Sequence, residues 1–119
     1  MITNNVINRL KVLFICSANK DRSATAENLA GNCWPKHQYD SAGTNQKICF
    51  QLGTQYISEN QLFWADLIFA MENKHKKELI KRFGSQFGQK ITVLGIRDHY
   101  EFGNPELKEI LREKLLAYL

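Results

Sequence analysis

Cys16-Ser17-Ala18-Asn19-Lys20-Asp21-Arg22-Ser23 sets a thiol, a guanidinium and a hydroxyl in the spacing C-x5-R-S. A short loop entering a helix turns successive backbone N–H groups inward, making a concave nest for an anion. The helix terminus adds free donors and partial positive charge. A thiol on the floor of that nest has its thiolate form favoured. Arg22 closes the ring with a planar fork that grips two phosphate oxygens, a geometry lysine lacks. Asn19 is a residue type that tolerates the left-handed backbone of a sharp turn, and Ser23 offers a hydroxyl to the sulfur. The chemistry this spacing predicts is a phosphate cradle with a nucleophile in its floor. The plainer reading makes Cys16 a small apolar side chain ending a buried strand, Arg22 a surface residue and Ser23 a helix cap.

The elements that must position these groups can be read from periodicity. Lys11 to Ile15 (KVLFI) is a short β-branched and aromatic run, a buried strand that ends at Cys16. Ser23 to Trp34 carries Ala26, Leu29, Ala30 and Cys33 at helical intervals, and Pro35 ends the pattern. Gln38 to Ala42 reads as a second strand running into turn residues Gly43, Thr44 and Asn45. Ser58 caps a short helix reaching Trp64, and Asp66 to Met71 is a third buried strand. Asn73 to Phe83 is a basic amphipathic helix with Leu79, Ile80 and Phe83 inward and Gly84 as its stop. Lys90 to Ile96 is a fourth strand. Asn104 and Pro105 open a last helix whose apolar face is Leu107, Ile110, Leu111 and Leu115. Alternating strands and helices with continuous apolar strands predict a single-domain α/β three-layer sandwich around a four-stranded parallel sheet. Active sites in such sheets lie beyond the carboxyl ends of the strands, which draws attention to the residues directly after Ile15 and Ile96.

The chain has 119 residues, room for one domain, preceded by an extension at residues 1–10. Its 44% hydrophobic and 24% charged content exclude global disorder and fibrous repeats. No apolar run is long enough to span a membrane, and the polar opening lacks the stretch of a secretion signal, so the expected location is the cytoplasm. Cys16, Cys33 and Cys49 contain no C-x-x-C and have no histidine at zinc-ligand spacing, so a structural metal is not expected, and without a secretion signal neither is a disulfide framework. No cofactor is expected. Cys33 reads as core and Cys49 falls in a segment, Thr44 to Ser58, without an assigned element. The formal charge of +4 resides in the basic segment Glu72 to Lys90. No interleaved aromatic motif accompanies it, so a solvated face is expected rather than a nucleic-acid surface.

VLFICSANKDRS resembles the low-molecular-weight protein tyrosine phosphatases, whose C-x5-R-[ST] loop follows the first strand near the N-terminus. The likeness continues at Ser41-Ala42-Gly43-Thr44, at Ala65-Asp66-Leu67-Ile68 and at Asp98-His99-Tyr100, where the family has D-P-Y. It covers roughly residues 11–115 and is similar to a compact bacterial subfamily. The resemblance implies a phosphomonoester hydrolase acting on a phosphotyrosine protein or a small aryl phosphate, as a monomer or weak dimer and without a metal. It implies that Cys16 is the nucleophile and forms a phosphocysteine. Arg22 and the amides of Ser17, Ala18, Asn19, Lys20, Asp21 and Ser23 would hold the equatorial oxygens, and Asp98 would be the general acid. Tyr100 would be an aromatic wall for the substrate ring.

The chain departs from the family pattern at Ala18 for a glycine, Asp21 for a second loop cysteine, Ala24 for a proline and His99 for the proline of D-P-Y. Two alternatives accompany the phosphatase reading. An arsenate reductase would need two further cysteines as a relay. A non-catalytic module would bind phosphotyrosine or a small anion without turnover.

Overall fold

In the computed structural model, which describes residues 9–119, Lys11–Cys16 forms strand β1 and lies at the centre of the sheet. The expected extension lies outside the described residues except for its last two positions. Beyond its exposed first residue, β1 is buried on both faces. Alternation along it divides the interior in two. Val12, Phe14 and Cys16 enter one core, and Leu13 and Ile15 enter the other.

Strands β2 (Gln38–Gly43), β3 (Leu67–Ala70) and β4 (Ile91–Val93) complete an all-parallel sheet in the order β2-β1-β3-β4. Helices α1 (Arg22–Cys33) and α5 (Pro105–Leu115) cover one face through Ala26, Leu29, Ala30, Leu107, Leu111 and Leu115. The other face takes Leu62 of α3 (Glu59–Trp64) and Leu79 of α4 (Asn73–Phe83). This is the expected three-layer α/β sandwich. None of its described helices is long and apolar enough to cross a membrane.

Local chemistry fixes the ends of the helices. Ser58 and Gln61 form a reciprocal capping box at α3. Asn104 accepts from Glu106 N at 2.8 Å and Leu107 N at 3.2 Å, with Pro105 in the first turn of α5. The Lys90 ammonium donates to Leu62 O at 2.9 Å and Ala65 O at 2.8 Å, tying the end of α3 to the start of β4.

Three expectations are corrected. The segment between Thr44 and Ser58 contains a helix, α2 (Gln46–Leu52), capped by the Asn45 side chain and closed by Gly53 in the left-handed region. Cys49, on that helix, is buried. Cys33 is exposed instead of core: it is the last residue of α1, and the next residue, Trp34, is the one that packs against the apolar cluster. The fourth strand stops at Val93, because Gly95 adopts φ +73° and interrupts the ladder. Leu94 N and Ile96 N still donate to Ala70 O and Met71 O, at 2.9 and 2.7 Å.

Candidate active site

β2 lies on one side of β1 and β3 on the other, so the chain reverses its winding direction at the carboxyl end of β1. That switch point opens a crevice in parallel sheets, and Cys16 occupies it. A narrow cavity of about 40 Å³ there is lined by Cys16, Ser17, Ala18, Asp21, Arg22 and Asp98. Loop and acid, far apart in sequence, meet on its walls.

The loop is held by side chains. Asn19 has φ 54°, the left-handed turn expected of it. Its amide donates to Ser23 Oγ at 3.0 Å and to Ser41 Oγ at 2.8 Å, and its Oδ1 accepts from Gln55 N at 3.0 Å. Because Ser23 Oγ accepts from Asn19, its own proton is free for Cys16 Sγ, 3.1 Å away. Ser41 in turn donates to Glu27. Two donor chains thus run outward from the Asn19 amide, one through Ser23 to the sulfur and one through Ser41 to Glu27.

Gly43 lets the loop lie against β2. A Cβ built there would stand 2.5 Å from Ser17 O and 2.6 Å from Cys49 Sγ. Cys49 itself packs beneath the loop, with its thiol 3.6 Å from Ala18 O.

Arg22 is 2% exposed. Its Nη1 donates to the Glu72 carboxylate and, at 2.7 Å, to Ile96 O. Its Nε lies 3.9 Å from Asp98 Oδ1. Burial by itself would raise the Glu72 carboxyl, but the hydrogen bond and charge of Arg22 outweigh it and hold the group below the ordinary carboxylate range. Asp98 is 66% exposed, so the acid faces solvent while the arginine beside it is enclosed.

His75 is buried behind the loop, against Ser17. Its Nδ1 accepts from Glu72 N at 3.0 Å, which leaves the proton on Nε2 to donate to Ser17 Oγ at 2.9 Å. Burial first, and then the Arg22 charge, push its pKa down to about 4, so the ring is neutral at pH 7.

The remaining expected residues take separate places. Lys20 is exposed on the loop rim. Tyr100 lines a different cavity, of about 490 Å³, with Arg97, Ile110 and Lys114, and His99 meets its ring edge-on. The Asp21 carboxylate accepts from Phe102 N at 2.9 Å.

Glu72 and His75, which hold Arg22 and Ser17, are not singled out by the sequence motifs. The strand-end rule that pointed to Ile15 and Ile96 applies equally to Ala70, and both residues come shortly after that strand.

No family model matches the chain. The protein-tyrosine-phosphatase PtpB of Staphylococcus aureus is 30% identical over 93 residues, covering 65% of this chain and 67% of that protein. Two solved structures share the fold. Vibrio vulnificus Wzb in complex with benzylphosphonate has a TM-score of 0.74 at 20% identity, over 93% of this chain and 97% of that one. The YwlE arginine phosphatase of Geobacillus stearothermophilus has a TM-score of 0.64 at 23% identity, over 91% of this chain and 86% of that one. With the C-x5-R-S loop at the switch point and PtpB matched over two thirds of its length, the chain belongs to the low molecular weight protein-tyrosine-phosphatase family.

Proposed function

We propose that this protein hydrolyses aryl phosphomonoesters, either phosphotyrosine on a protein or a small aryl phosphate, through a phosphocysteine at Cys16. One observation carries the reading: Cys16, Arg22 and Asp98 line one small cavity at the switch point. PtpB, a relative named as a protein-tyrosine-phosphatase, supports the reaction class.

In the first step the Cys16 thiolate attacks phosphorus and the bond to the phenolic oxygen breaks. Asp98, protonated, gives its proton to the departing phenolate. Arg22 and the amides of residues 17–23 meet the charge on the three equatorial oxygens, where phosphoryl transfer needs stabilising most. Ser23 donates to the sulfur and so stabilises it both as nucleophile and as leaving group. In the second step water attacks phosphorus, Asp98 takes its proton, and the P–S bond breaks to return the thiolate with inorganic phosphate.

Cys16→Ser should abolish turnover of phenyl phosphate while inorganic phosphate still binds, measured by steady-state kinetics and by titration calorimetry. A Cys16→Ser variant that keeps wild-type turnover removes the nucleophile assignment. A folded wild type that binds phosphate yet hydrolyses no aryl ester leaves a binding module instead.

A further inference from the structure

Asp98 is largely exposed, and its ion-pair distance to Arg22 is 3.9 Å, too long for a hydrogen bond. Its own side chain therefore does little to fix where it stands. Its loop must be placed by other contacts, because a general acid acts only within hydrogen-bond reach of the oxygen it protonates.

Besides the Ile96 N bond to Met71 O at the end of β3, three hydrogen bonds tie the two ends of the loop to the segment that carries the nucleophile. At its start, Ile96 O accepts from Arg22 Nη1 at 2.7 Å. At its end, Phe102 N donates to Asp21 Oδ1 at 2.9 Å and Gly103 N donates to Thr25 Oγ1 at 3.0 Å. Asp21 and Thr25 are four residues apart at the start of α1, so their side chains share one face and take two successive amides.

Asp21 gives up a local role to do this. It occupies the N-cap position of α1, where an aspartate ordinarily accepts from the first turn of its own helix, yet it makes no side-chain cap bond. Asp21 is also one of the residues lining the cavity, where its negative charge opposes a phosphate dianion. Both penalties have a counterpart in a charge-assisted bond to the Phe102 amide, stronger than a neutral acceptor would make.

We propose that Asp21 is a positioning residue for the general acid: its bond to the Phe102 amide holds the 97–103 loop so that Asp98 stands over the leaving group. This rests on the phosphatase reading of the site. Its signature is leaving-group dependence. A displaced acid matters most when the leaving oxygen is a strong base and least when it is a weak one.

The experiment compares Asp21→Ala, Asp21→Asn and wild type on phenyl phosphate and 2,4-dinitrophenyl phosphate, with amide exchange at Phe102 followed by NMR. Asp21→Ala should lose about tenfold or more on phenyl phosphate, a distinctly smaller factor on the dinitrophenyl ester, and exchange the Phe102 amide faster. Asp21→Asn, which keeps an acceptor oxygen, should restore most of both. On phenyl phosphate, Asp21→Ala combined with Asp98→Asn should be no slower than Asp98→Asn alone, since both changes remove the same proton transfer. Equal losses on the two esters, full additivity with Asp98→Asn, or an unchanged Phe102 exchange rate in Asp21→Ala would each overturn the proposal. A folded wild type without turnover of either ester defeats the phosphatase reading, and the proposal that rests on it falls too. Phe102 exchange would then still show whether the tether itself exists.

Discussion

Arg22 is the most constrained side chain of the site. A guanidinium has five donors in a rigid fork. Here Nη1 is committed to Glu72 and Ile96 O, so the plane of the group is set before any phosphate arrives. Glu72 carries the orienting charge, held ionised by that same arginine. Glu72→Ala should therefore lower kcat/KM for an aryl phosphate by about ten- to a hundredfold, the loss of roughly 1.5–3 kcal/mol of charged hydrogen bonding. It should also weaken competitive inhibition by vanadate. Glu72→Gln keeps an acceptor in place and should fall between. If both variants match wild type in rate and inhibition, Arg22 is oriented by the Ile96 carbonyl and the loop alone.

At the scale of elements, the loop leans on the end of β2. Two atoms crowd Gly43, a backbone oxygen and a thiol with no exposed surface, and neither is the free end of a flexible chain. Gly43→Ala should displace Ser17 and Ala18, costing about 1–3 kcal/mol of stability and lowering turnover with it. Gly31, within α1 and with nothing close to its Cβ position, supplies the control. Gly31→Ala should raise stability by about 0.5–1 kcal/mol and leave kinetics alone. Thermal melts and kcat for both variants check the pair, and a Gly43→Ala protein as active and stable as wild type would mean the loop makes no such contact.

The same elements mark how far the sequence could be read. β1 was legible from its apolar run, α4 and α5 because their apolar periods and end signals agree, and the C-x5-R-S loop because a thiol, a guanidinium and a hydroxyl at that spacing between a strand and a helix suit an anion cradle. α2 was hidden, since QKICFQL buries only Cys49 and so lacks an apolar stripe, although Asn45 and Gly53 mark both its ends. Cys33 had the right period and the wrong place, because periodicity does not reveal which helical residue is the last to meet the core. Glu72, His75 and the Asp21–Phe102 bond depend on strand order and on loop meeting loop across the fold, which local pattern does not encode.

Across the whole molecule, the site is assembled from the carboxyl ends of β1 and β3 and the loop after β4, so its integrity and the fold's stability are coupled through pH. His75 is the clearest link. Its folded pKa of about 4 lies below the ordinary 6.5, so the unfolded chain binds a proton there more readily than the native one. Its contribution is then complete above pH 6.5 and lost as pH falls toward 4, because the neutral buried ring cannot take a proton on Nδ1 without losing the Glu72 amide. The span is worth up to ~3 kcal/mol at about 1.4 kcal/mol per unit, a large share of the roughly 5–15 kcal/mol typical of a domain. Glu72, depressed below its usual range, adds a loss of the same sign at more acidic pH. Urea midpoints measured from about pH 7 to 4.5 should fall steadily, and the fall should begin above the carboxylate range. In His75→Asn, stability at neutral pH should be lower but the slope between about pH 6.5 and 4.5 nearly flat. A slope that persists unchanged in that variant would assign the titration to another group and leave the histidine a packing role beneath Ser17.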